Sequence, residues 1–407
     1  MKINICFIPF HDWKKCEREG FRTRDAHFMQ EFSKHPSINK MLVINRPISY
    51  SEILYYHRNK FVKTGKAVYE NKRMRLSQVN PKVFVLDFII PQFFLPFVMR
   101  RNWTSYAFGQ RSFFEKVSFC LNYLNIQNDY VLFSSAPLFV PLIKKLIPKM
   151  FIFDAQDNLL KSSFYQNVSN LQNYYNYCKE NADLISANSP ETANWLSSEK
   201  KEAKFISNGV DKEMFSDKNH YEKPKDMKNI SRPIVGYAGK MQEIFDVDLV
   251  EKIIISFPEI NFVFIGQLLN PKWVKRLWKY PNAHYLGDKN YEQLPGYLHY
   301  FDICIVPVSQ ERQHGGDPIK IYEYLAAGKS VVSTNTGGAE KLSSYPQVKI
   351  TNTKNDFISA LGNFLTLINE DKRKELKELT EEYTWKYKVD DYLKDISSTL
   401  WREHAKK

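Results

Sequence analysis

The 407 residues are 43% hydrophobic and 25% charged, a soluble-protein balance in a chain too long for one core, so two domains are expected. The net charge of +13 lies in the first part, where residues 1–150 hold 24 Lys and Arg against 10 Asp and Glu, while residues 151–407 hold 34 against 35. Five scattered cysteines (Cys6, Cys16, Cys120, Cys178, Cys304) without a CxxC pair exclude a disulfide framework and a zinc site, and point to a reducing compartment.

The opening MKINICFIPFH predicts a first strand and not a signal peptide, because its apolar run stops at His11 and Asp12. HDW (11–13) ends that strand, and GFRTRDAHF (20–28) starts a helix. Gly20, Arg24 and His27 are placed to face a cleft between the domains, where Arg24 would meet a diphosphate; His27 reads more simply as a satisfied helix residue. Residues 84–99, FVLDFIIPQFFLPFVM, follow KRMR (72–75) and precede Arg100, Arg101 and Trp103. The run is too short for a bilayer span, which takes ~20 apolar residues, and Asp87, Pro91 and Pro96 interrupt it. Flanked by cations, it suits an interfacial segment in anionic lipid, and it reads equally as a buried strand and hairpin. An anionic membrane surface is the partner expected for the basic first half; no nucleic-acid module is recognisable.

YVLFSS, KMFIFDAQ and DLISANS continue a series of short apolar strands separated by amphipathic stretches. Within FIFDAQDNLL (151–160), Asp154 falls at a strand's C-terminal end and Asp157 in the loop beyond, the edge where open α/β sheets bind ligands. The alternative is a pair of helix-capping acids. Residues 212–232 are polar and read as a linker. PIVGYAG, INFVFIGQ, AHYLGD, DICIVPV and SVVSTNT then form a second series, so the fold expected is α/β with two Rossmann-like parallel-sheet domains. DVD (246–248) imitates a metal motif, but it lies in a helix-like segment after a glycine turn.

GGDPIKIYEYLAAGK (315–329) follows helix-boundary rules: Asp317 as N-cap, Pro318 at the first helical position, Gly328 as the stop. Gly315 and Gly316 clear side chains from the helix amides, Lys320 adds a cation, and Glu323 lies on the same face. The plainer alternative is a capped surface helix with an ordinary Lys–Glu pair. From Trp385 to Trp401 the pattern is again helical.

Taken in order, ISNGVDKEMF (206–215), GYAGKMQEIFD (236–246), FVFIGQ, HYLGDKNYEQLPGYL, DICIVPV and DPIKIYEYLAAGKSVVST resemble the family-4-type glycosyltransferases of the GT-B fold, notably the teichuronic-acid and exopolysaccharide enzymes. The likeness covers roughly residues 180–400 well and the N-terminal half more loosely. It implies an acceptor-binding, membrane-associated domain (1–211), a nucleotide-sugar domain (212–384), a cleft between them, and a C-terminal helix (385–407) packing back on the first. It implies a nucleotide-sugar donor, a UDP-sugar, whose diphosphate meets Gly236, Gly239, Lys240, Gly316 and Lys320. Its ribose would meet Glu323, and its base Leu286, Gly287 and Tyr291. The family often carries a first Glu eight residues before its second; here Gly315 stands there, so Gln313, His314 or Asp317 would contact the donor sugar.

By the same resemblance Asp157 is the base that takes the acceptor proton, with Asp154 supporting it. Lys320 and the helix amides neutralise the leaving diphosphate, so no metal or other cofactor is expected. The acceptor would be lipid-linked or a glycan, and transfer would occur at the cytoplasmic face of the membrane by a peripheral enzyme of cell-surface polysaccharide synthesis. Two alternatives stay open, a nucleotide-sugar epimerase of the same architecture and a non-catalytic sugar-nucleotide-binding subunit.

Overall fold

The computed structural model describes residues 2–216, 220–313, 316–368 and 378–405. The chain divides into two compact units, Met1–Ile206 with Lys388–Lys407, and Ser207–Tyr387.

The first unit contains β1 (Ile3–Ile8), β2 (Ile38–Ile44), β3 (Ile48–Ser49), β4 (Lys66–Glu70), β5 (Met74–Gln78), β6 (Val83–Ile90), β7 (Val131–Ser134), β8 (Met150–Ala155), β9 (Leu184–Ala187) and β10 (Lys204–Phe205). The sheet order is β10-β9-β8-β7-β1-β2-β6-β5-β4, with β3 paired to β6. From β10 to β6 every pairing is parallel, and β5 and β4 add an antiparallel edge. β1, β6, β7 and β8 are buried at every position, which is why their sequences are continuous apolar runs instead of alternating ones.

The second unit contains β11 (Ile234–Ala238), β12 (Asn261–Ile265), β13 (Ala283–Tyr285), β14 (Ile303–Val306), β15 (Ser330–Thr334) and β16 (Val348–Thr351). They form one all-parallel sheet in the order β13-β12-β11-β14-β15-β16. In each unit the chain lays strands to one side of its first strand and then to the other. The reversal falls at β1, between β2 and β7, and at β11, between β12 and β14. Successive connections leave opposite faces of the sheet there, opening a crevice at the strands' carboxyl ends.

Three expectations change. The described residues of 212–232 are not a linker. The boundary lies at 206/207, and Phe215 and Met227 are buried in the core of the second unit. Polarity was a poor guide because a few apolar side chains, here Phe215, Met227 and Ile230, suffice to anchor such a segment. The run 84–99 divides: β6 is core, and the helix Leu95–Met99 that follows is exposed at Phe97 and Val98. Asp87 interrupts β6 in sequence only. It is buried, pairing with Lys14 at 3.0 Å and accepting from Asn45 Nδ2 and the Val62 N–H at 2.8 Å each. The helix Trp385–Ala405 inserts Tyr392, Leu393 and Ile396 into the first unit. Tyr392 completes an aromatic cluster with Phe28, Phe32, Phe133 and Phe7. Among the described residues, no helix is long and apolar enough to cross a membrane.

Candidate functional site

In the second unit the chemistry gathers at the reversal. Gly239 follows β11; a Cβ there would stand 2.7 Å from Lys320 Cε and 3.0 Å from the Tyr237 hydroxyl. The missing side chain leaves room for the Lys320 stem at the strand end, and a methyl there would push the lysine aside. Lys320 lies in the first turn of the helix Ile319–Ala326, with its ammonium 5.7 Å from the Tyr237 ring centroid. Burial lowers the Lys320 pKa, nearby Glu323 opposes that shift, and Lys240 adds to it. Two lysines and the positive end of a helix dipole therefore act on one spot, the arrangement that suits a phosphate. The backbone closes in from the next strand. Gly266, at φ +132°, donates its N–H to Gly287 O at 2.9 Å, and a Cβ on it would meet Gly239 O at 2.0 Å.

Glu323 is buried one turn into the same helix, and its Oε1 accepts from the Tyr291 hydroxyl at 2.7 Å. Burial raises the Tyr291 pKa, and the carboxylate beside it adds to the rise, so the phenol keeps its proton and holds Glu323 in one orientation. Tyr291, expected beside the base, is instead a core ring packed 5.5 Å from Phe215. Leu286 and Gly287 sit where β13 ends, both half-buried; Leu286 N–H is engaged by Phe264 O at 3.0 Å.

Asp317 is not the helix cap. Pro318 occupies that position without a side-chain cap. The Asp317 carboxylate is buried, accepting from the Asn208 N–H at 2.7 Å and from the Tyr322 hydroxyl at 2.7 and 3.0 Å. Lys341 stands 3.4 Å away. That engagement removes Asp317 as a sugar contact and keeps its charge off the helix amides. His314 and Gly315 lie outside the described residues. Gln313 remains a candidate, for its Oε1 is buried with no hydrogen-bond partner among the described residues. Gly316 is half-buried, and Gly337, at φ +53°, lets its carbonyl pass where a Cβ would lie 2.1 Å away.

In the first unit Asp154 is fully buried. It receives Arg24 Nε and Nη2 at 2.9 and 2.8 Å, Ser186 Oγ at 2.9 Å and the Tyr392 hydroxyl at 2.8 Å. Arg24 is therefore not a cleft residue waiting for diphosphate; it is buried, forked onto Asp154 and over the Phe28 ring. Gly20 is not one either. At φ 81° it ends the helix Trp13–Glu19, its N–H on Cys16 O. His27 is buried, which lowers its pKa to about 3 and keeps it neutral.

Asp157 differs from Asp154. Its side chain makes no hydrogen bond or ion pair among the described residues. Burial raises its pKa to about 7, with Arg24 pulling the other way. Its own carbonyl is held by the Tyr175 hydroxyl at 3.0 Å, which fixes the loop. Around it, at the ends of β7, β8 and β9, Ser135 Oγ, Gln156 Nε2 and Asn188 Oδ1 are buried without partners among the described residues. Buried polar atoms left unpaired are costly unless a ligand or water takes them. At the end of β1, His11 Nδ1 lies 3.2 Å from Asp25 Oδ1, and the His11 N–H donates to Asp25 Oδ2 at 2.7 Å. Burial pushes the Asp25 carboxyl up, but His11 and the Thr23 hydroxyl outweigh it and hold the pKa at about 2. Among the described residues, no three His, Cys, Asp or Glu side chains are grouped to hold a metal ion. Within DVD, Asp246 caps the helix Val247–Ser256 and pairs with Lys354, and Asp248 pairs with Arg276.

Residues 232–366, which hold this second-unit cluster, match the family model described as glycosyl transferases group 1. They form a group 1 glycosyltransferase domain. Over 170 residues, 40% of this chain, the sequence is 25% identical to a Bacillus subtilis (strain 168) protein named as a teichuronic acid biosynthesis glycosyltransferase, TuaH; the match spans 43% of that relative's length. Two solved structures match nearly end to end. Sucrose-phosphate synthase from Thermosynechococcus elongatus gives a TM-score of 0.67 at 12% identity, covering 99% of this chain and 100% of its own. Anabaena Alr3699/HepE, in complex with UDP and glucose, gives 0.59 at 14%, covering 98% and 99%. At such identities the likeness shows the fold, two Rossmann-like domains of the GT-B kind.

Within the group 1 domain, Gly239, Lys240, Lys320 and Glu323 come together at the strand reversal. Gly236 does not join them. It is buried inside β11, where a Cβ would fall 1.9 Å from the Phe301 ring, so its missing side chain serves packing. Outside the domain, the His11–Asp25 pair and the unpaired Ser135, Gln156 and Asn188 went unread in the sequence. HDW marked a strand end, but nothing local links His11 to an acid fourteen positions on, and Ser, Gln and Asn carry no periodic signal.

Proposed function

We propose that this chain is a glycosyltransferase that moves a sugar from a UDP-sugar to a lipid-linked or glycan acceptor, working peripherally at the inner face of a membrane in cell-surface polysaccharide synthesis. The observation that carries the reading is the cradle of Gly239, Lys240 and Lys320 at the amino end of the helix that presents Glu323, inside the group 1 domain. The donor diphosphate lies against the two lysines and the helix amides, and Glu323, held by Tyr291, accepts from the ribose hydroxyls. Gln313 takes the sugar contact that the family's first Glu would make.

Asp157 is the base of this reading. A carboxyl with a pKa of about 7 and no competing partner among the described residues is matched to a proton acceptor near neutral pH. The acceptor O–H gives its proton to the Asp157 carboxylate as its oxygen bonds to the anomeric carbon. The anomeric C–O bond to the diphosphate breaks, and UDP leaves with its charge neutralised at Lys320, so that no metal is needed. Incubating the protein with UDP-sugars and a lipid-borne or glycan acceptor tests the proposal. Transferred sugar supports it. An epimerised donor, or nucleotide-sugar binding with no reaction across donors and acceptors, would refute it.

A further inference from the structure

In the first unit a cavity of about 860 Å³ opens where β1, β2 and β7 end, at that unit's own strand reversal. Lys15, Arg46, Arg58, Arg100 and Arg101 line it, against the acids Asp12 and Glu52. Both acids are engaged. Asp12 caps the helix Trp13–Glu19 through Lys15 N–H at 2.8 Å. Glu52 receives Arg46 at 2.6 Å, Trp103 Nε1 at 2.9 Å and Ser49 N–H at 3.0 Å. Arg101 lies over the Phe164 ring. Arg58 and Arg100 make no side-chain hydrogen bond or ion pair among the described residues. Arg100 stands at φ 47°, ψ −114°, a conformation a non-glycine residue holds only when its surroundings impose it.

The rim of this cavity is apolar and faces water. Leu54, Tyr55 and Tyr56 are each 62% exposed at the end of one short helix; Phe94 is 75%, Phe97 42% and Val98 76% exposed at the next. The two groups touch, with Tyr55 and Tyr56 5.7 and 6.4 Å from the Phe97 ring. Tyr56 and Phe97 also line the cavity, so the patch and the cationic interior are continuous. Contiguous exposed apolar surface of this kind marks a binding face. Guanidinium groups directly behind aromatic rings match an amphiphile at the membrane boundary, with an anionic head and a hydrocarbon tail.

We infer that this cavity is the seat of a phosphate- or diphosphate-headed lipid, its head on Arg58 and Arg100 and its chain leaving over the Leu54–Tyr56 and Phe94–Val98 patch. The inference deepens the proposed function by naming the acceptor's carrier, and it rests on that reading only for calling the lipid an acceptor. The charge complementarity decides the occupant. A neutral apolar partner gains nothing from guanidinium groups that make no ion pair among the described residues, and a soluble phosphate gains nothing from the rings.

Binding is measured by titration calorimetry on the full chain with three probes: farnesyl diphosphate, inorganic diphosphate and farnesol. Farnesyl diphosphate should bind at least about tenfold more tightly than either part alone. Arg58→Ser with Arg100→Ser should cost about tenfold or more, and Phe94→Ser with Phe97→Ser should bring the affinity down to that of inorganic diphosphate. All four side chains lie at the surface, and unchanged UDP affinity in both variants shows that the fold is kept. Equal affinity for inorganic and farnesyl diphosphate, farnesol binding indifferent to the two arginines, or no binding of any probe would each overturn the inference. Farnesyl diphosphate binding that persists in a protein that transfers no sugar would overturn the transferase reading and leave this one standing.

Discussion

Replacing Asp157 with Asn changes rate and stability in opposite directions, and the pair of effects tests whether this carboxyl is a tuned base. The carboxyl titrates at about 7 in the folded protein because burial disfavours its charge, against an ordinary value of 3.8. A folded pKa raised above the unfolded value means that the native state holds the proton more tightly. The side chain is least harmful below pH ~4, where both states are protonated, and stability declines as pH rises from ~4 to ~7, then levels off. Holding the proton that much more tightly corresponds to at most ~4 kcal/mol; Asp157 is half-buried, and solvent access reduces this to ~1–3 kcal/mol. Asn cannot ionise. Asp157→Asn should therefore melt at a higher temperature than the parent at pH 8 and close to it at pH 4.

Catalysis should respond the other way. Parent kcat/KM should climb about tenfold per pH unit below ~7 and flatten above, as a single deprotonation requires. The Asn variant should lose that dependence and fall ~10²-fold or more in turnover, with UDP affinity unchanged. Scanning fluorimetry at the two pH values and initial rates from pH 5 to 9 decide it. Near-normal turnover in the variant, or a melting difference that does not vary with pH, would refute the reasoning and move attention to His11, already oriented by Asp25.

Asp154→Asn is the contrasting case: it uncouples the buried Arg24, Ser186 and Tyr392, so it should cost ~3–5 kcal/mol of stability at neutral pH, seen by denaturant titration of the first unit. Glu323→Ala should weaken UDP binding by ~1.5–3 kcal/mol in calorimetry, with Glu323→Gln recovering part of it; equal affinity in all three proteins would remove Glu323 from the ribose. Gly239→Ala should displace Lys320 and weaken UDP binding at least ~tenfold while the melting temperature holds. Gly236→Ala, driven into the Phe301 ring, should do the reverse, losing ~1–3 kcal/mol of stability, with any binding loss following the loss of fold.

The sequence by itself determined the architecture, because strand burial and helix amphipathicity are local patterns: INICFIPF, YVLFSS, MFIFDA and DICIVPV are apolar without alternation, as only doubly covered parallel strands are. It also determined the helix that presents Lys320 and Glu323, whose proline, glycine and spacing follow from backbone chemistry alone. What a residue touches was decided by the tertiary structure. Asp154 and Asp157 stand three positions apart on one strand end. Arg24, Ser186 and Tyr392 close on the first carboxylate from distant segments, and none of the described residues bonds the second carboxylate, so one is a structural anchor and the other a titrating acid. Gly236 and Gly239 look alike in sequence, yet one faces Phe301 and the other Lys320. Asp317 was capable of capping its helix, and Tyr322 with Asn208 drew its carboxylate away. Local rules state what a side chain is able to do; long-range packing sets the dielectric around it and its partners, and therefore its charge and its role.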